Sequence, residues 1–168
     1  TCEDAPTASL LARNLVCHYT GKTPEQILTD REMYVGDAAC DAVMDAAKRV
    51  IGGEPIAYVL GEWDFYGMTL YVDKNVLIPR DDTCAVTDLA IKYGHSLETP
   101  SRILDLCTGS GCIGLAVASK ITDAKVTLAD ISQQALAVAK KNIALQKLSG
   151  RVNTFVSDAL QAPSKFLG

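Results

Sequence analysis

A glycine-rich turn between two apolar runs constrains the fold of this chain more than any other feature. The segment "ILDLCTGSGCIGLAV" runs from Ile103 to Val117, and its glycines separate a run with the length of a buried strand from a run that continues as a helix. Glycine lets a ligand approach the backbone closely, and the N–H groups at a helix start bind polar or negatively charged groups. The segment therefore predicts a ligand-binding turn between a strand and a helix.

The pattern beyond residue 82 alternates between helix and strand. A helix with apolar residues Val86, Leu89 and Tyr93 precedes the strand "RILDL"; the strands "KVTLAD" and "RVNTFVS" follow, separated by a helix with Ser132 as its cap. This alternation indicates parallel strands joined by right-handed crossovers. Residues 82–168 are predicted to form the front half of a doubly wound, Rossmann-like α/β sheet.

The N-terminal part has a helical repeat instead. Residues 23–26, "TPEQ", form a capping box with proline at the first helical position. A longer helix is predicted from an Asp37 cap to the glycines at 52–53, and an earlier one over residues 8–17. Their apolar stripes predict a small helical bundle over residues 1–53.

A linker rich in aromatic and β-branched residues follows the bundle. In "MTLYVD", residues 68–73, apolar and polar positions alternate, which predicts one arm of a β-hairpin. The apolar "VLI" at residues 76–78 is predicted to be the other arm. Residues 54–81 are therefore interpreted as a hairpin linker between the bundle and the sheet.

Composition excludes several classes of function. The net charge of −4, the isoelectric point near 5.1 and the lack of a dense Lys/Arg run disfavour direct binding of nucleic acid. No apolar run approaches the roughly 20 residues that cross a bilayer, and no signal peptide is recognised, so a cytoplasmic location without a membrane partner is expected. The six cysteines contain no C-x-x-C pair, and neither histidine has ligand spacing, so no metal site is expected and the thiols are predicted to be free.

The chemistry of the glycine turn leaves more than one ligand open. Residues 109–114 have the pattern G-x-G-x-x-G, and Asp130 ends the next predicted strand, where a carboxylate can bind a ribose; alone, this suits a nicotinamide cofactor. Asp105 precedes the turn with a negative charge that a pyrophosphate would not favour. S-adenosylmethionine has no phosphate and carries a sulfonium and an ammonium group, so Asp105, Asp130 and Asp158 at three strand ends favour it. A capped structural turn stays an alternative, whereas a P-loop is excluded because no Gly-Lys-Ser/Thr follows.

Three segments carry a resemblance to a known family. "EPIAYVLGEWDFYGMTLYVDKNVLIPR", "ILDLCTGSGCIGLAVA" and "VTLADISQQALAVAKKN" closely resemble the protein-glutamine N5-methyltransferases that modify peptide-chain release factors, and the resemblance extends from about Ala8 to Asp158. It implies a helical bundle joined by a hairpin to a Rossmann-like class I methyltransferase sheet. It also implies S-adenosylmethionine as cofactor and a release factor as protein substrate, methylated on the side-chain amide of the glutamine in its Gly-Gly-Gln motif.

The resemblance carries over to this chain a set of cofactor-side positions: Cys107, Thr108, Gly109, Ser110, Gly111, Asp130, Ile131, Asp158, Ala159, Arg80 and Thr83. By resemblance, the loop over residues 107–111 lies at the methionine end of the cofactor, and Asp130 binds the ribose hydroxyls. Ile131 would flank the adenine, and Asp158 would accept a hydrogen bond from its amino group.

This sequence departs from the family pattern in three places. Residues 79–84 read "PRDDTC" where the family has Pro-Arg-Pro-Glu-Thr-Glu, and Cys107 stands where the family has glycine. The family's Asn-Pro-Pro-Tyr motif is expected on a strand beyond Asp158, and the chain ends at Gly168. We therefore expect a fragment with no catalytic residue of its own, and a truncated sheet whose exposed apolar edge and face favour a dimer.

Four alternative functions stay open at this point. A ribosomal-protein glutamine methyltransferase would share the chemistry and change the substrate. An adenine-N6 DNA methyltransferase would use a similar clamp on the acceptor nitrogen, but the acidic composition disfavours it. A protein-docking module without catalytic activity and a nicotinamide oxidoreductase are the alternatives from other classes.

Overall fold

The chain divides into two units at Leu60. The computed structural model describes residues 5–29, 32, 34–97 and 102–161, and the units are Thr1–Leu60 and Gly61–Gly168. The predicted division into residues 1–53, 54–81 and 82–168 stays a prediction. Among the described residues, no helix combines the length and the apolar character that crossing a membrane requires.

The first unit consists of helices, as its sequence pattern predicts. They are α1 (Ala5–Thr20), α2 (Pro24–Thr29), α3 (Asp37–Ile51) and α4 (Ile56–Leu60). Helix α1 packs against α3 and α4, and the buried centre of this contact consists of Leu15, Ala46 and Val59. The short helix α4 is an addition to the prediction, because its five residues are too few to show a helical repeat in the sequence.

The predicted caps of α2 and α3 have different outcomes. The capping box of α2 is confirmed, since Thr23 N donates to Gln26 Oε1 at 2.9 Å and Gln26 N donates to Thr23 Oγ1 at 3.3 Å. The predicted Asp37 cap is wrong: Gly36 is the N-cap, without a side-chain hydrogen bond, and Asp37 is the first helical residue. A carboxylate in the first turn still interacts favourably with the positive end of the helix dipole, which explains why the two positions look alike in sequence.

An antiparallel hairpin opens the second unit. Its strands are β1 (Glu62–Phe65) and β2 (Met68–Tyr71), so the prediction that residues 76–78 form the second arm is wrong. The strands are joined by Tyr66 and Gly67, which both have left-handed backbone angles, with φ of 52° and 76°. Two successive left-handed residues make the tight turn whose twist matches that of paired strands, so β2 pairs with the segment before it.

The second unit continues with a parallel sheet flanked by helices. Its elements are α5 (Thr83–His95), β3 (Arg102–Leu106), α6 (Cys112–Lys120), β4 (Lys125–Asp130), α7 (Gln133–Leu145) and β5 (Val152–Val156), followed by a 3-10 turn at Ala159–Gln161. The strand order is β3-β4-β5, and both pairings are parallel. This arrangement confirms the predicted Rossmann-like α/β fold, and the predicted Ser132 cap is also confirmed, because Ala135 N donates to Ser132 Oγ at 3.1 Å.

The hairpin and the helical side of the sheet share one apolar core. Phe65 and Leu70 of the hairpin lie in the same buried cluster as Leu115 of α6, Leu128 of β4 and Ile143 of α7. At the hairpin tip, the Tyr66 hydroxyl donates to Asp88 Oδ1 of α5 at 2.5 Å. The hairpin is therefore packed into the second unit as part of its core.

One face of the sheet carries partly exposed apolar side chains among the described residues. Leu104, Leu106 and Phe155 are each 38% exposed, and the register pairs Leu106 with Ala129 and Ala129 with Phe155. Paired residues of neighbouring strands point to the same side of a sheet, so these side chains form one apolar surface. Association of two chains through this surface stays a prediction.

Candidate functional site

The turn after β3 depends on three residues with left-handed backbone angles. Cys107, Gly109 and Gly111 have φ of 60°, 55° and 85°. Thr108 N donates to Ala129 O of β4 at 3.0 Å, and Gly111 N donates to Thr108 O at 2.9 Å. The turn is thus tied to the neighbouring strand at one end, and it starts α6 at the other.

Only one of the three glycines in this segment faces open space. A Cβ added to Gly109 would meet no atom within 4 Å, whereas one added to Gly111 would lie 2.9 Å from Leu128 Cδ1. At Gly114 it would lie 2.3 Å from Leu128 Cδ2. Gly111 and Gly114 are therefore required for packing of the turn on β4, and Gly109 is the position that a ligand can approach.

The Asp105 side chain stabilises the turn through two hydrogen bonds. Its Oδ2 accepts hydrogen bonds from Thr108 Oγ1 at 2.6 Å and from Gly114 N at 3.0 Å. Burial raises the pKa of this carboxyl above its ordinary value, the nearby Asp130 adds to the rise, and the two hydrogen bonds oppose it. Asp105 therefore has a structural role in the turn.

Asp130 connects the two loops at the ends of β3 and β4. Its Oδ2 accepts from Gly109 N at 2.9 Å, and its Oδ1 accepts from Ser132 N at 2.9 Å. A carboxylate oxygen can accept a second hydrogen bond, so both oxygens keep capacity for hydroxyl groups of a ligand. The next residue, Ile131, is 67% exposed and offers an apolar surface beside this carboxylate. The sequence predicted Asp130 as a ligand-binding residue but gave no signal that it also fixes the turn.

The end of β5 lies beside the end of β4. Ser157 N donates to Asp130 O at 3.0 Å, which extends the pairing of the two strands by one residue. Asp158 is half-buried and accepts from Leu160 N at 2.9 Å, and Ala159 is exposed at the start of the 3-10 turn. The Ser157 hydroxyl is buried and has no hydrogen-bond partner among the described residues. Sequence reasoning missed this serine.

Arg80 and Thr83 belong to the start of α5. Thr83 N donates to Arg80 O at 3.0 Å, and Thr83 O accepts from Thr87 Oγ1 at 3.0 Å. Arg80 is exposed and Thr83 is half-buried. The structure thus brings together residues 107–111, Asp130 and Asp158, while the cofactor-side role of Arg80 and Thr83 stays a prediction.

The thiols of the described residues are free: Cys17, Cys40, Cys84, Cys107 and Cys112. Cys107 is exposed at the turn, and burial raises the pKa of the Cys112 thiol at the start of α6. Within the described part of the chain, no group of three or more His, Cys, Asp or Glu side chains could hold a metal ion.

Two protein families match this chain in sequence. Residues 1–61 match the PrmC N-terminal domain, and residues 91–166 match the methyltransferase small domain. The release factor glutamine methyltransferase of Chlorobaculum tepidum is 37% identical over 158 residues, which cover 91% of this chain and 53% of that relative. The corresponding enzyme of Streptococcus pneumoniae is 44% identical over 106 residues, which cover 63% of this chain and 37% of that relative.

Other relatives share parts of the chain. The ribosomal protein uL3 glutamine methyltransferase of Francisella tularensis is 41% identical over 106 residues, which cover 62% of this chain and 34% of that protein. A solved SAM-dependent methyltransferase from Agrobacterium tumefaciens is 20% identical with a TM-score of 0.49, and the match covers 60% of this chain and 34% of that one. The predicted resemblance to the release factor glutamine methyltransferases is confirmed by the sequence matches, and the chain spans about half the length of the first of these relatives.

Proposed function

We propose that this chain, which resembles the release factor glutamine methyltransferases over most of its length, is the cofactor-binding part of an enzyme that methylates a release factor. The proposed reaction transfers a methyl group from S-adenosylmethionine to the side-chain amide of the glutamine in the Gly-Gly-Gln motif of a peptide-chain release factor. The observation that carries the proposal is the 37% identity to such an enzyme along 91% of this chain. A cytoplasmic location is part of the proposal, because release factors act in translation.

The residues at the turn fit this cofactor. A ligand can approach Gly109 from open space, and the carboxylate of Asp130, which accepts from Gly109 N and Ser132 N, brings negative charge beside it. When bound, S-adenosylmethionine supplies a methyl group activated by a positively charged sulfonium. Because its sulfonium and ammonium groups are cations, the Asp130 carboxylate attracts it, whereas it would repel a pyrophosphate. This electrostatic difference supports S-adenosylmethionine over a nicotinamide dinucleotide.

The residues around the turn have separate proposed tasks. The backbone of residues 107–111 would contact the methionine end of the cofactor, and the free lone pairs of Asp130 would accept its ribose hydroxyls. Ile131 and Ala159 would flank the adenine, and Asp158 would accept from its amino group. Arg80 and Thr83 are proposed to lie on the cofactor side of the site.

Methylation of an amide nitrogen also requires groups that act on the acceptor. The nitrogen lone pair is delocalised into the carbonyl, so the amide must be oriented toward the methyl group and its hydrogens must be bound by acceptors. We assign no catalytic residue among the described residues. The part of the reaction assigned to this chain is cofactor binding and orientation.

Calorimetric titration with S-adenosylhomocysteine tests the cofactor proposal, with NADH as the control ligand. The informative variant is Gly109→Ala, whose added methyl group meets no protein atom but occupies the space that a ligand needs. Gly67→Ala is its matched control, because Gly67 also has a left-handed φ and open space around the Cβ position. Asp130→Ala is a second site variant, which additionally frees the N–H groups of Gly109 and Ser132.

We expect saturable binding of S-adenosylhomocysteine and none of NADH. Gly109→Ala is expected to weaken binding at least tenfold, while Gly67→Ala, with the same kind of backbone strain of about 1 kcal/mol, leaves affinity unchanged. Absence of binding in the folded wild-type chain, or equal affinities of the two glycine variants, would contradict the proposed site.

The identity between this chain and the ribosomal protein uL3 glutamine methyltransferase of Francisella tularensis favours a second candidate substrate. Calorimetric titration of this chain, saturated with S-adenosylhomocysteine, with either a release factor or ribosomal protein uL3 distinguishes the two by their affinities. Saturable binding of duplex DNA under the same conditions would support the DNA methyltransferase alternative. Binding of a release factor without any binding of S-adenosylhomocysteine would support a docking module without catalytic activity.

A further inference from the structure

Asn142 is a fully buried polar residue in the middle of α7. It has no exposed surface, whereas asparagine is ordinarily among the exposed residue types. Burying an amide is unfavourable unless its donors and acceptor all have partners. The position of these partners therefore indicates what the residue does.

The Asn142 side chain joins the hairpin to the glycine turn. Its Oδ1 accepts from Tyr71 N at 2.7 Å, and its Nδ2 donates to Tyr71 O at 2.9 Å and to Ser110 O at 2.9 Å. One partner is a donor and two are acceptors, so the orientation of the amide is fixed by chemistry, and both of its N–H groups are used. A single side chain thus connects the last residue of β2, helix α7 and the turn.

The bond to Ser110 O restrains the conformation of the turn itself. The peptide group that contains Ser110 O also contains Gly111 N, because the two atoms lie in one planar unit. Gly111 N donates to Thr108 O at 2.9 Å, and Gly111 has a left-handed φ of 85°. Rotation of this peptide would therefore break the bond to Asn142 and the internal bond of the turn together.

The hairpin end of this connection is itself held firmly. Lys141 Nζ lies 3.9 Å from the centre of the Tyr71 ring, and the Tyr71 hydroxyl donates to Asp73 Oδ2 at 3.1 Å. Neighbouring residues of α7 thus bind both the backbone and the ring of Tyr71. The Asn142 side chain therefore connects the turn to a residue, Tyr71, whose backbone and ring are both restrained.

We propose that Asn142 is a positioning residue of the cofactor site, and that through it the β1–β2 hairpin contributes to cofactor affinity. The inference rests on the proposed function for the identity of the cofactor. The restraint on the turn rests only on the hydrogen bonds described above.

The test compares Asn142→Ala and Asn142→Asp with Gln146→Ala in the full chain. Gln146 is the matched control, because it follows Asn142 by about one helical turn and its Nε2 donates to Thr69 O of the hairpin at 2.7 Å. The measurements are affinity for S-adenosylhomocysteine and hydrogen exchange at the amides of Tyr71 and of residues 108–111. We expect Asn142→Ala to weaken binding about tenfold and to accelerate exchange in the turn, and Gln146→Ala to leave both within twofold of the wild type.

The Asn142→Asp variant separates positioning from packing. A protonated carboxyl has nearly the shape of the amide and offers one donor, whereas the ionised form offers none. Burial raises the pKa of such a carboxyl, so affinity relative to the wild type is expected to recover as the pH falls from 8 to 5. Comparison with the wild type at each pH removes the contribution of the other ionisable groups near the turn and Tyr71: Asp73, Asp105, Cys112, Asp130 and Lys141.

Each outcome decides the proposal. Unchanged affinity and unchanged turn exchange in a folded Asn142→Ala variant would overturn it, and so would an Asn142→Asp variant whose relative affinity does not change with pH. If Asn142→Ala does not fold, the pH profile of the isosteric Asp variant decides alone. If the wild-type chain binds no S-adenosylhomocysteine, the proposed function fails, whereas faster turn exchange in the Asn142 variants but not in Gln146→Ala still supports the restraint.

Discussion

The packing of the glycine turn on β4 yields a quantitative prediction. A methyl group at Gly114 would lie 2.3 Å from Leu128 Cδ2, and Leu128 is fully buried. Overpacking of this kind lowers the free energy of unfolding by about 1–3 kcal/mol, and replacing a helical glycine by alanine raises it by about 1 kcal/mol. Gly114→Ala alone is therefore expected to lower the free energy of unfolding by about 1 kcal/mol.

Leu128→Val should rescue this variant. Valine lacks the Cδ atoms that meet the new methyl group, and on its own the substitution costs about 1 kcal/mol for the methylene it removes. In this background, the closest remaining contacts of the new methyl group are with Asp105, whose Oδ2 and Cβ lie at 3.0 Å and 3.1 Å. Gly114→Ala should become nearly neutral, so the two substitutions are coupled by about 1 kcal/mol or more.

Urea unfolding followed by tryptophan fluorescence measures the free energy of unfolding of the wild type, of each single variant and of the double variant. Trp63 is the chain's single tryptophan, and it lies in β1 of the second unit, so its signal reports the unit that contains both substitutions. Gly94→Ala is the matched control, because its methyl group would lie 2.3 Å from Ile121 Cδ1, and Leu128→Val should not rescue it. Additivity of Gly114→Ala and Leu128→Val within about 0.5 kcal/mol would refute the packing argument.

Two further predictions concern the turn. Bound S-adenosylhomocysteine should slow alkylation of the exposed Cys107 thiol severalfold and leave the exposed Cys40 unaffected; mass spectrometry of the labelled peptides measures both rates, and equal slowing of the two would contradict the site. The folded-state pKa of Asp105 is raised above its ordinary value of 3.8, so its ionisation opposes folding, and the stability it contributes at low pH is lost as the pH rises through the folded pKa. Asp105→Asn keeps one acceptor oxygen for both hydrogen bonds, so its free energy of unfolding relative to the wild type should increase between pH 4 and pH 7; urea unfolding at both values checks this, and a constant difference would contradict it.

Local chemistry made much of the fold predictable from the sequence. The capping box at residues 23–26 and the strand-to-helix glycine turn depend on neighbours within a few residues, and both were predicted at their observed positions. The hairpin partner was missed because Tyr66 and Gly67 form a tight turn although tyrosine rarely adopts a left-handed φ.

Within the proposed site, the sequence indicates only residues whose chemistry is typical of ligand binding. Carboxylates at strand ends predict ligand binding, so Asp130 and Asp158 can be proposed from the sequence, and their roles at the cofactor stay predictions. Asn142 was missed because its partners are 71 and 32 residues away, and all of them are backbone atoms with no side-chain signature. An asparagine within a helix also has no distinct pattern in a single sequence.

The hairpin described above also affects the order of folding. Its tip is bonded to α5 through Tyr66 and Asp88, and its end is bonded to α7 through a contact that closes a loop of 71 residues. Closing so long a loop is entropically costly, and both helices must be present before the hairpin has anything to bind. Docking of the hairpin is therefore expected after the transition state, so substitutions at its contacts should accelerate unfolding and leave the rate of folding nearly unchanged.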